Sequence, residues 1–279
     1  MTLIQRQHPY PHWEFEEAGS GDLLRVVPER GGLIAGWRSG GIEQLYLDQE
    51  RFLDPALSVR GGIPVLFPIC GGLPAGSLNL PQHGFARDLP WRLEPLADGR
   101  GVAMLLEDSE QSRRSYPYAF CLTLEVRLAE AALEFSITVE NRSTTSMPFS
   151  FGLHPYFQVS SLDGLRIEGL PPCSLDQVTM TEVNSEQHVD LMAEGIDMLS
   201  EPSGAVRLVD GPGRRFVELQ PSGPLDLVVI WTDPPRSMVC LEPWTAPRGS
   251  LVSGDRRIDL ASGARQHLST RYRVGVECY

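Results

Sequence analysis

Four short stretches of the sequence carry residue types that could exchange protons or bind a polar ligand. They read RGGIPVLFP from Arg60, HGFARDLPW from His83 and including Arg87, FGLHPYF around His154, and CLEPW around Glu242. A carboxyl group with an ordinary pKa of ~4.3 is ionised at neutral pH and can act as a base, whereas an imidazole with an ordinary pKa of ~6.5 is available as an acid. The planar guanidinium of arginine offers a fork of donors that suits hydroxyl groups or a phosphate.

Each of these residues also has a purely structural interpretation. Arg60 could lie on the surface at a Gly-Gly turn, His83 could cap a loop, and His154 could be a hydrogen-bonded histidine at a strand end. Arg87 and the aspartate that follows it could form an exposed ion pair worth less than ~1 kcal/mol. Glu242 stands out, because it follows the apolar segment MVCL, where a carboxylate needs a partner or a wet cleft.

The overall charge and the absence of lysine exclude several classes of function. The 279-residue chain has a formal net charge of −12 at pH 7, which argues against a general nucleic-acid or membrane-surface binder, since both need a positive surface. All 24 of its positively charged side chains are arginines. A Walker A phosphate loop and a Schiff-base or pyridoxal-phosphate enzyme each need a lysine, so none of them is expected.

Motifs for a metal, a nucleotide or a serine nucleophile are missing from the sequence. Neither His-Glu-x-x-His nor Gly-x-Ser-x-Gly occurs, and GGLPAG has the wrong glycine spacing for a dinucleotide-binding loop. Prolines between His8 and His12 prevent the helix on which both could bind one ion. We therefore expect no metal and no cofactor.

The cysteines and the first residues of the sequence indicate the cellular compartment. Five cysteines occur without a Cys-x-x-Cys pair, at positions 70, 121, 173, 240 and 278. The first residues contain no apolar signal segment, and no run approaches the ~18 apolar residues of a membrane span. We therefore expect reduced thiols in a cytoplasmic protein.

Alternating apolar and polar residues predict β-strands through much of the chain. In FCLTLEVRL, residues 120–128, and LEFSITVE, residues 133–140, every second residue is apolar, and the short connector predicts an antiparallel hairpin. No amphipathic helix of ten residues or more is evident. We expect an all-β fold, a large antiparallel β-sandwich forming one domain over residues 1–279. The Gly- and Pro-rich stretch 60–90 is typical of an ordered loop on which a site is built.

Taken together and in this order, the four stretches resemble the aldose 1-epimerase (mutarotase) superfamily, and most of all its hexose-6-phosphate mutarotase branch. The resemblance implies a galactose-mutarotase-like β-sandwich with its site in a cleft on one sheet face. It also implies interconversion of the α and β anomers of a hexose or hexose 6-phosphate, with no metal, nucleotide or covalent intermediate. The partner would then be a small sugar or sugar phosphate.

The resemblance also implies roles for individual residues. Glu242 matches the family's base and His154 its acid, with the roles reversed when the sugar ring recloses. Arg60, His83 and Arg87 would bind hydroxyl groups or a phosphate of the substrate. The family places a sugar-binding Asp between the two catalytic residues, and Asp197 in EGIDML matches it. The phosphate branch continues Asp-Arg-x-Tyr there, whereas this chain reads Asp-Met-Leu-Ser. Arg248, six residues past Glu242, could supply the missing contact, or it could equally be a surface residue.

Three other functions remain open at the level of the sequence. A non-catalytic carbohydrate-binding β-sandwich would need the arginines and aromatic residues but not the pair of His154 and Glu242. A glycoside hydrolase or lyase would need a second carboxylate beside the scissile bond, for which only Asp197 is available. A regulatory protein built on an inactive enzyme would keep the fold alone.

Overall fold

The alternating segments fold into β-strands in a computed structural model that describes residues 3–17, 19–211 and 214–277. Cys278 lies outside these described residues. The strands within them are β1 Leu3–Arg6, β2 His12–Glu16, β3 Leu23–Val27, β4 Leu33–Ser39, β5 Ile42–Glu43, β6 Val65–Leu66, β7 Arg92–Pro95, β8 Gly101–Glu107, β9 Phe120–Ala129, β10 Ala132–Asn141, β11 Met147–Phe149, β12 Gly152–Leu153, β13 Tyr156–Gln158, β14 Arg166–Glu168, β15 Cys173–Asp176, β16 Thr181–Asn184, β17 Asp197–Ser200, β18 Val206–Asp210, β19 Arg215–Gln220, β20 Leu227–Trp231, β21 Met238–Trp244, β22 Ile258–Leu260 and β23 Arg265–Val276.

Helical segments are short, as the sequence predicts. They are α1 Gln49–Leu53, α2 Glu110–Arg113, α3 Ser185–Val189, α4 Ser250–Ser253 and a 3-10 turn at Ala86–Asp88. Side chains cap three of them, since Asp48, Ser109 and Asn184 accept hydrogen bonds from the backbone N–H groups of Arg51, Ser112 and Gln187. Over the described ranges, no helix is long and apolar enough to cross a membrane.

Two large antiparallel sheets stack into the expected sandwich. The first, here named the core sheet, has the order β14-β18-β19-β23-β10-β9-β8-β7. The second, here named the site sheet, has the order β16-β15-β17-β20-β21-β12-β6, and β13 also pairs with β21. A smaller sheet, β1-β2-β3-β4-β5, and a ribbon of β11 and β22 complete the β-structure. The prediction of an all-β antiparallel sandwich is confirmed.

The predicted hairpin forms the centre of the core sheet. β9 and β10 pair antiparallel with Leu124 opposite Ile137, and only two residues connect the strands. Their apolar residues point into the main core, where Val126 and Phe135 are almost fully buried. β23 pairs along the other edge of β10. Alternation along β23 would place Val276, its last residue, on the same face as the buried Tyr272. Val276 is nevertheless 62% exposed.

The two faces of β21 separate the core from the candidate site. Val239 and Leu241 belong to the main core shared with the core sheet, and the Tyr272 hydroxyl donates a 2.8 Å hydrogen bond to the carbonyl of Leu241. Because successive side chains of a strand point to opposite faces, Cys240 and Glu242 lie on the face that points away from this core. The sandwich thus carries Glu242 on the outer face of the site sheet.

The Gly- and Pro-rich stretch forms an ordered loop, as predicted, with buried segments at residues 61–71 and 83–86 and a mostly exposed middle. The backbone N–H of Phe85 bonds the carbonyl of Phe67 at 3.0 Å, and the N–H of His83 bonds the carbonyl of Gly71 at 2.6 Å. Gly84 has a φ of 73°, and a Cβ there would lie 2.1 Å from the Phe67 carbonyl oxygen, so only glycine fits. The loop thereby places the His83 and Arg87 side chains beside the site sheet.

Candidate active site

His154 and Glu242 meet through the register of the site sheet. Gly152 lies opposite Trp244, and Tyr156 lies opposite Cys240. This register brings the residue midway between Gly152 and Tyr156, which is His154, directly across from Glu242. The His154 Nε2 and a Glu242 carboxylate oxygen are 3.4 Å apart.

The pair faces a small cavity that holds all the residues singled out in the sequence. The cavity has a volume of about 150 Å³ and is lined by Arg60, His83, Arg87, His154, Asp197 and Glu242, with Ser58, Gln82, Val229, Trp231, Trp244 and Arg248 completing the wall. Pockets for drug-sized ligands measure roughly 300–1,000 Å³, so this one suits a smaller polar molecule. A larger groove of about 630 Å³ lies elsewhere, beside Asp22 and Arg215, and its lining contains no histidine.

Glu242 is a buried carboxyl group with one strong partner. It is 1% exposed, and the Trp244 indole N–H donates to it at 3.0 Å. Burial raises its pKa well above the ordinary range, and the neighbouring Asp197 carboxylate raises it further. Both effects favour the protonated form of Glu242.

The surroundings of His154 favour the neutral imidazole. It is 7% exposed, and its ring stacks on Tyr156 with centroids 4.8 Å apart and planes 11° apart. Burial lowers its pKa well below the ordinary value, and positive charge at His83, Arg87 and Arg60 would lower it further. The sequence predicts an ionised glutamate beside a histidine acid. Burial disfavours both of these charges, so the two pKa shifts favour a proton on Glu242 and a neutral His154.

His83 supports the loop and also faces the cavity. Its φ of 67° is in the left-handed region, and its Nδ1 accepts a 3.0 Å hydrogen bond from the Gly71 backbone, so a neutral His83 carries its proton on Nε2. Burial, and then the charges of Arg87, Arg248 and Arg60, lower its pKa to about 3. Its ring meets the His154 ring edge-on at 5.4 Å. At neutral pH it can only offer an uncharged donor.

The arginines give the cavity a positive wall. Arg60 lies 3.6 Å from an Asp233 oxygen and 5.5 Å from the centre of the Trp231 ring. Arg87 donates to the backbone carbonyl of Gln82 at 2.8 Å, rather than lying on the surface. The buried Nε atoms of Arg87 and Arg248 have no hydrogen-bond partner among the described residues. Such donors are suited to an anionic or hydroxyl-rich ligand.

Comparison of the sequence with models of known protein families identifies the family of this chain. The sequence model named "Aldose 1-epimerase" matches residues 19–272. The chain belongs to the aldose 1-epimerase family. The superfamily resemblance carried by the four stretches is thereby confirmed.

Curated relatives of this aldose 1-epimerase family member share parts of its sequence. A Cenchrus ciliaris protein named "Putative glucose-6-phosphate 1-epimerase" is 31% identical over 215 residues, which are 71% of this chain and 64% of the relative. An Escherichia coli (strain K12) protein of the same name is 28% identical over 183 residues, which are 64% of this chain and 58% of the relative. Each match spans less than two thirds of the relative's length.

Solved structures share the whole fold of this family member. The Slr1438 protein of Synechocystis sp. PCC 6803 has a TM-score of 0.91 at 31% identity, with 99% of each chain covered. A galactose mutarotase-like protein of Clostridium acetobutylicum has a TM-score of 0.80 at 16% identity, covering 99% of this chain and 98% of its own. These likenesses confirm the galactose-mutarotase-like architecture.

The structure adds one residue, Gln177, that sequence reasoning missed, and it shows what Arg248 contacts. Gln177 donates to one oxygen of Asp197 at 2.8 Å, and Arg248 donates to the other. Both oxygens of Asp197 therefore have protein partners, so this carboxylate holds Arg248 at the cavity wall. No local pattern marks Gln177, because it reaches the site only through the pairing of β15 with β17.

The tryptophans of this family member divide between core and site. Trp91 is buried and donates to the carbonyl of Ala86, and Trp244 is buried behind Glu242. Trp231 is half-buried in the cavity wall, where its ring meets the His154 ring edge-on at 5.6 Å. It therefore offers an aromatic face beside His154 and Glu242.

Proposed function

We propose that this protein is an aldose 1-epimerase that interconverts the α and β anomers of a hexose, preferentially a hexose 6-phosphate. The observation that carries the proposal is the separation of 3.4 Å between the His154 and Glu242 side chains in a cavity lined by arginines. Two groups that can exchange protons, held side by side against a small polar cavity, are what ring opening requires.

The proposed reaction moves two protons and makes no bond to the protein. In ring opening, Glu242 takes the proton from the anomeric hydroxyl, and His154 gives a proton to the ring oxygen as the bond from that oxygen to the anomeric carbon breaks. The open aldehyde turns about its terminal carbon–carbon bond. In ring closure, His154 takes back the hydroxyl proton as the oxygen attacks the aldehyde from the other face, and Glu242 returns its proton to the carbonyl oxygen.

This cycle needs one proton on the pair at all times. Before ring opening the proton is on His154 and Glu242 is ionised, and after opening it is on Glu242 and His154 is neutral. The two states are alternative arrangements of the same proton. Burial by itself favours the arrangement in which the proton is on Glu242 and His154 is neutral. A bound sugar hydroxyl that donates to the carboxylate would favour the first.

The arginines support a phosphorylated substrate. Arg60, Arg87 and Arg248 line one small cavity, and the partnerless donors of Arg87 and Arg248 can bond a phosphate dianion. The names of the two curated relatives point to the same substrate class. Asp197, in this proposal, acts on the substrate through Arg248.

We also infer the setting in which the protein works. A main core whose members run from Phe15 to Tyr272 supports one domain over residues 1–279. The four described cysteines are free thiols, which supports a cytoplasmic location. The net charge of −12 supports a small-molecule partner rather than nucleic acid or a membrane.

An anomerisation assay tests the proposed function. Exchange between anomers is measured by NMR for glucose, galactose and glucose 6-phosphate, with and without the protein. We expect faster exchange, with the largest kcat/KM for glucose 6-phosphate. Saturable binding with no faster exchange would favour the carbohydrate-binding alternative, and release of reducing ends from oligosaccharides would favour a hydrolase.

A further inference from the structure

We propose that His154, Cys240 and Glu242 form a binding site for Zn²⁺ and similar thiophilic divalent cations, and that an ion bound there blocks the acid–base pair. The binding half of this inference is independent of the proposed function. The inhibition half rests on it.

The site sheet brings three different ligand types to one place. Cys240 and Glu242 are two residues apart on β21 and therefore share one face of the strand. Tyr156 pairs with Cys240, which brings the neighbouring His154 to the same face. The imidazole nitrogen, the thiol sulfur and a carboxylate oxygen lie within 4.8 Å of one another, and all three residues are buried.

Two of the three ligand atoms already have the spacing of a zinc site. Zn²⁺ binds imidazole nitrogen and carboxylate oxygen at about 2.0–2.2 Å in a tetrahedral arrangement, which places those two atoms about 3.3–3.5 Å apart. The observed separation of the His154 nitrogen and the Glu242 oxygen is 3.4 Å. A cation can therefore bridge them without moving either strand.

The thiol can complete the site with a small movement. A sulfur ligand at about 2.3 Å from zinc would lie about 3.6 Å from the other two atoms, so the Cys240 Sγ needs to move by about 1 Å. Its hydrogen-bond partner is the Met238 thioether at 3.9 Å, which is a weak interaction. Cys240 is fully buried against Tyr156 and Met238, so the rotation requires small shifts of these side chains.

The charge and softness of the ligands select the kind of ion. A thiolate and a carboxylate cancel the two positive charges of the cation, so the occupied site adds no net charge beside Arg60, Arg87 and Arg248. Sulfur and imidazole ligands favour Zn²⁺ over Mg²⁺ or Ca²⁺, which prefer oxygen.

The fourth position of the ion would face the cavity, and the site would bind reversibly. A histidine that binds a structural metal usually donates its second ring N–H to an acceptor. The buried Nδ1 of His154 has no partner among the described residues. We therefore expect an inhibitory ion that chelators remove, rather than a permanent structural one.

Cobalt titration tests the binding half without substrate. Co²⁺ bound by a thiolate gives a charge-transfer band in the near ultraviolet, and we expect this band in the wild-type protein and its loss when Zn²⁺ is added. Cys240→Ser should abolish the band, while Cys173→Ser, which changes an exposed thiol on β15, should retain it. Thermal melting confirms that both variants fold.

The inhibition half uses the ratio of activity with and without Zn²⁺ within each variant. We expect Zn²⁺ but not Mg²⁺ to inhibit the wild type, and Cys240→Ser to need at least about tenfold more Zn²⁺ for the same inhibition. Absence of the cobalt band in the wild type, or its persistence in Cys240→Ser, would overturn the metal site. A cobalt band in a protein without anomerase activity would leave the site standing and refute the proposed function.

Discussion

His154 lies directly opposite Glu242 across the antiparallel pairing of β21 with β12 and β13, and their side chains are 3.4 Å apart. The ladder continues on both sides of His154, with Gly152 opposite Trp244 and Tyr156 opposite Cys240. A slip of one residue would turn Glu242 to the core face of the sheet. The geometry of the pair is therefore as rigid as the sheet itself.

Glu242→Gln should remove the proposed base while keeping the fold. The amide oxygen can still accept the Trp244 hydrogen bond, but the amide cannot take a proton from the sugar. We expect anomerase kcat to fall by ~10²–10⁴, with an unchanged melting temperature. The matched control is Glu94→Gln, an exposed carboxyl on β7, which should keep full activity. Near-normal exchange rates in Glu242→Gln would rule out the proposed base.

The pH dependence of kcat/KM should be bell-shaped, because the pair of His154 and Glu242 must hold a single proton. Activity is lost at low pH when the pair takes up a second proton, and at high pH when the pair loses its only one. The lowered pKa of His154 moves the acid limb of the profile below the ordinary histidine pKa of ~6.5. The raised pKa of Glu242 moves the alkaline limb above the ordinary glutamate pKa of ~4.3. Rate profiles from pH 4 to 10 measure both limbs. An acid limb above pH ~6.5 would contradict this description.

Protein stability should fall with acid because His83 is buried as a neutral ring. Its pKa of about 3 in the folded protein is below the ~6.5 of the unfolded chain, so the unfolded state binds more protons between these values. The contribution of His83 to the free energy of unfolding is complete above pH ~6.5. It decreases by up to ~1.4 kcal/mol per pH unit as the pH falls towards about 3.

His83→Asn isolates that contribution. Asparagine tolerates a positive φ, and its side-chain oxygen can accept the Gly71 hydrogen bond. Urea unfolding at several pH values measures the free energy of unfolding of the variant and of the wild type. If the variant is less stable at pH 7, the difference between the two should become smaller towards pH 4. His8→Asn, at an exposed histidine, is the control and should follow the wild type. A stability difference between His83→Asn and the wild type that stays constant with pH would contradict the lowered pKa of His83.

Gln177→Leu should weaken substrate binding rather than the chemical step. The change removes the donor to Asp197 and so loosens the carboxylate that holds Arg248. A hydrogen bond to a charged group is worth about 1.5–3 kcal/mol, so we expect KM for glucose 6-phosphate to rise by about 10-fold or more while kcat changes little.

A double-variant cycle separates this positioning role from a general loss of structure. In an Arg248→Met background, Gln177→Leu should add little to the rise in KM, because the two residues act through Asp197. Gln187→Leu, at an exposed position of α3, is the matched control. A fall in kcat as large as that of Glu242→Gln would show that Gln177 acts in some other way.

Arg87→Gln should discriminate between phosphorylated and free sugars. The side chain is half-buried, its buried Nε has no hydrogen-bond partner among the described residues, and the change removes the positive charge from the cavity wall. We expect KM to rise by ~10–100-fold for glucose 6-phosphate and by much less for glucose. Arg92→Gln, at an exposed arginine of β7, is the control. An equal rise for both sugars would place Arg87 against the hexose ring rather than the phosphate.

Much of the fold follows from local pattern. The period-two alternation in residues 120–128 and 133–140 predicts β9, β10 and the hairpin between them, because burial of one sheet face needs only neighbouring residues to alternate. The Gly- and Pro-rich stretch predicts an ordered loop for a similarly local reason. The position of Gln177 could not be predicted, since it depends on which distant strand lies beside β15.

The sequence by itself determined the β-sandwich class, the family and the six residues from Arg60 to Glu242 that line the cavity, because alternation and short motifs are local properties of the chain. Tertiary structure alone decided which groups touch and in which direction their pKa values shift. It set the 3.4 Å spacing through sheet register, engaged Asp197 with Gln177 and Arg248, and shifted the pKa values of His154 and Glu242 towards their neutral forms. The physical reason is that register, burial and the electrostatic field at a site are sums over residues far apart in sequence.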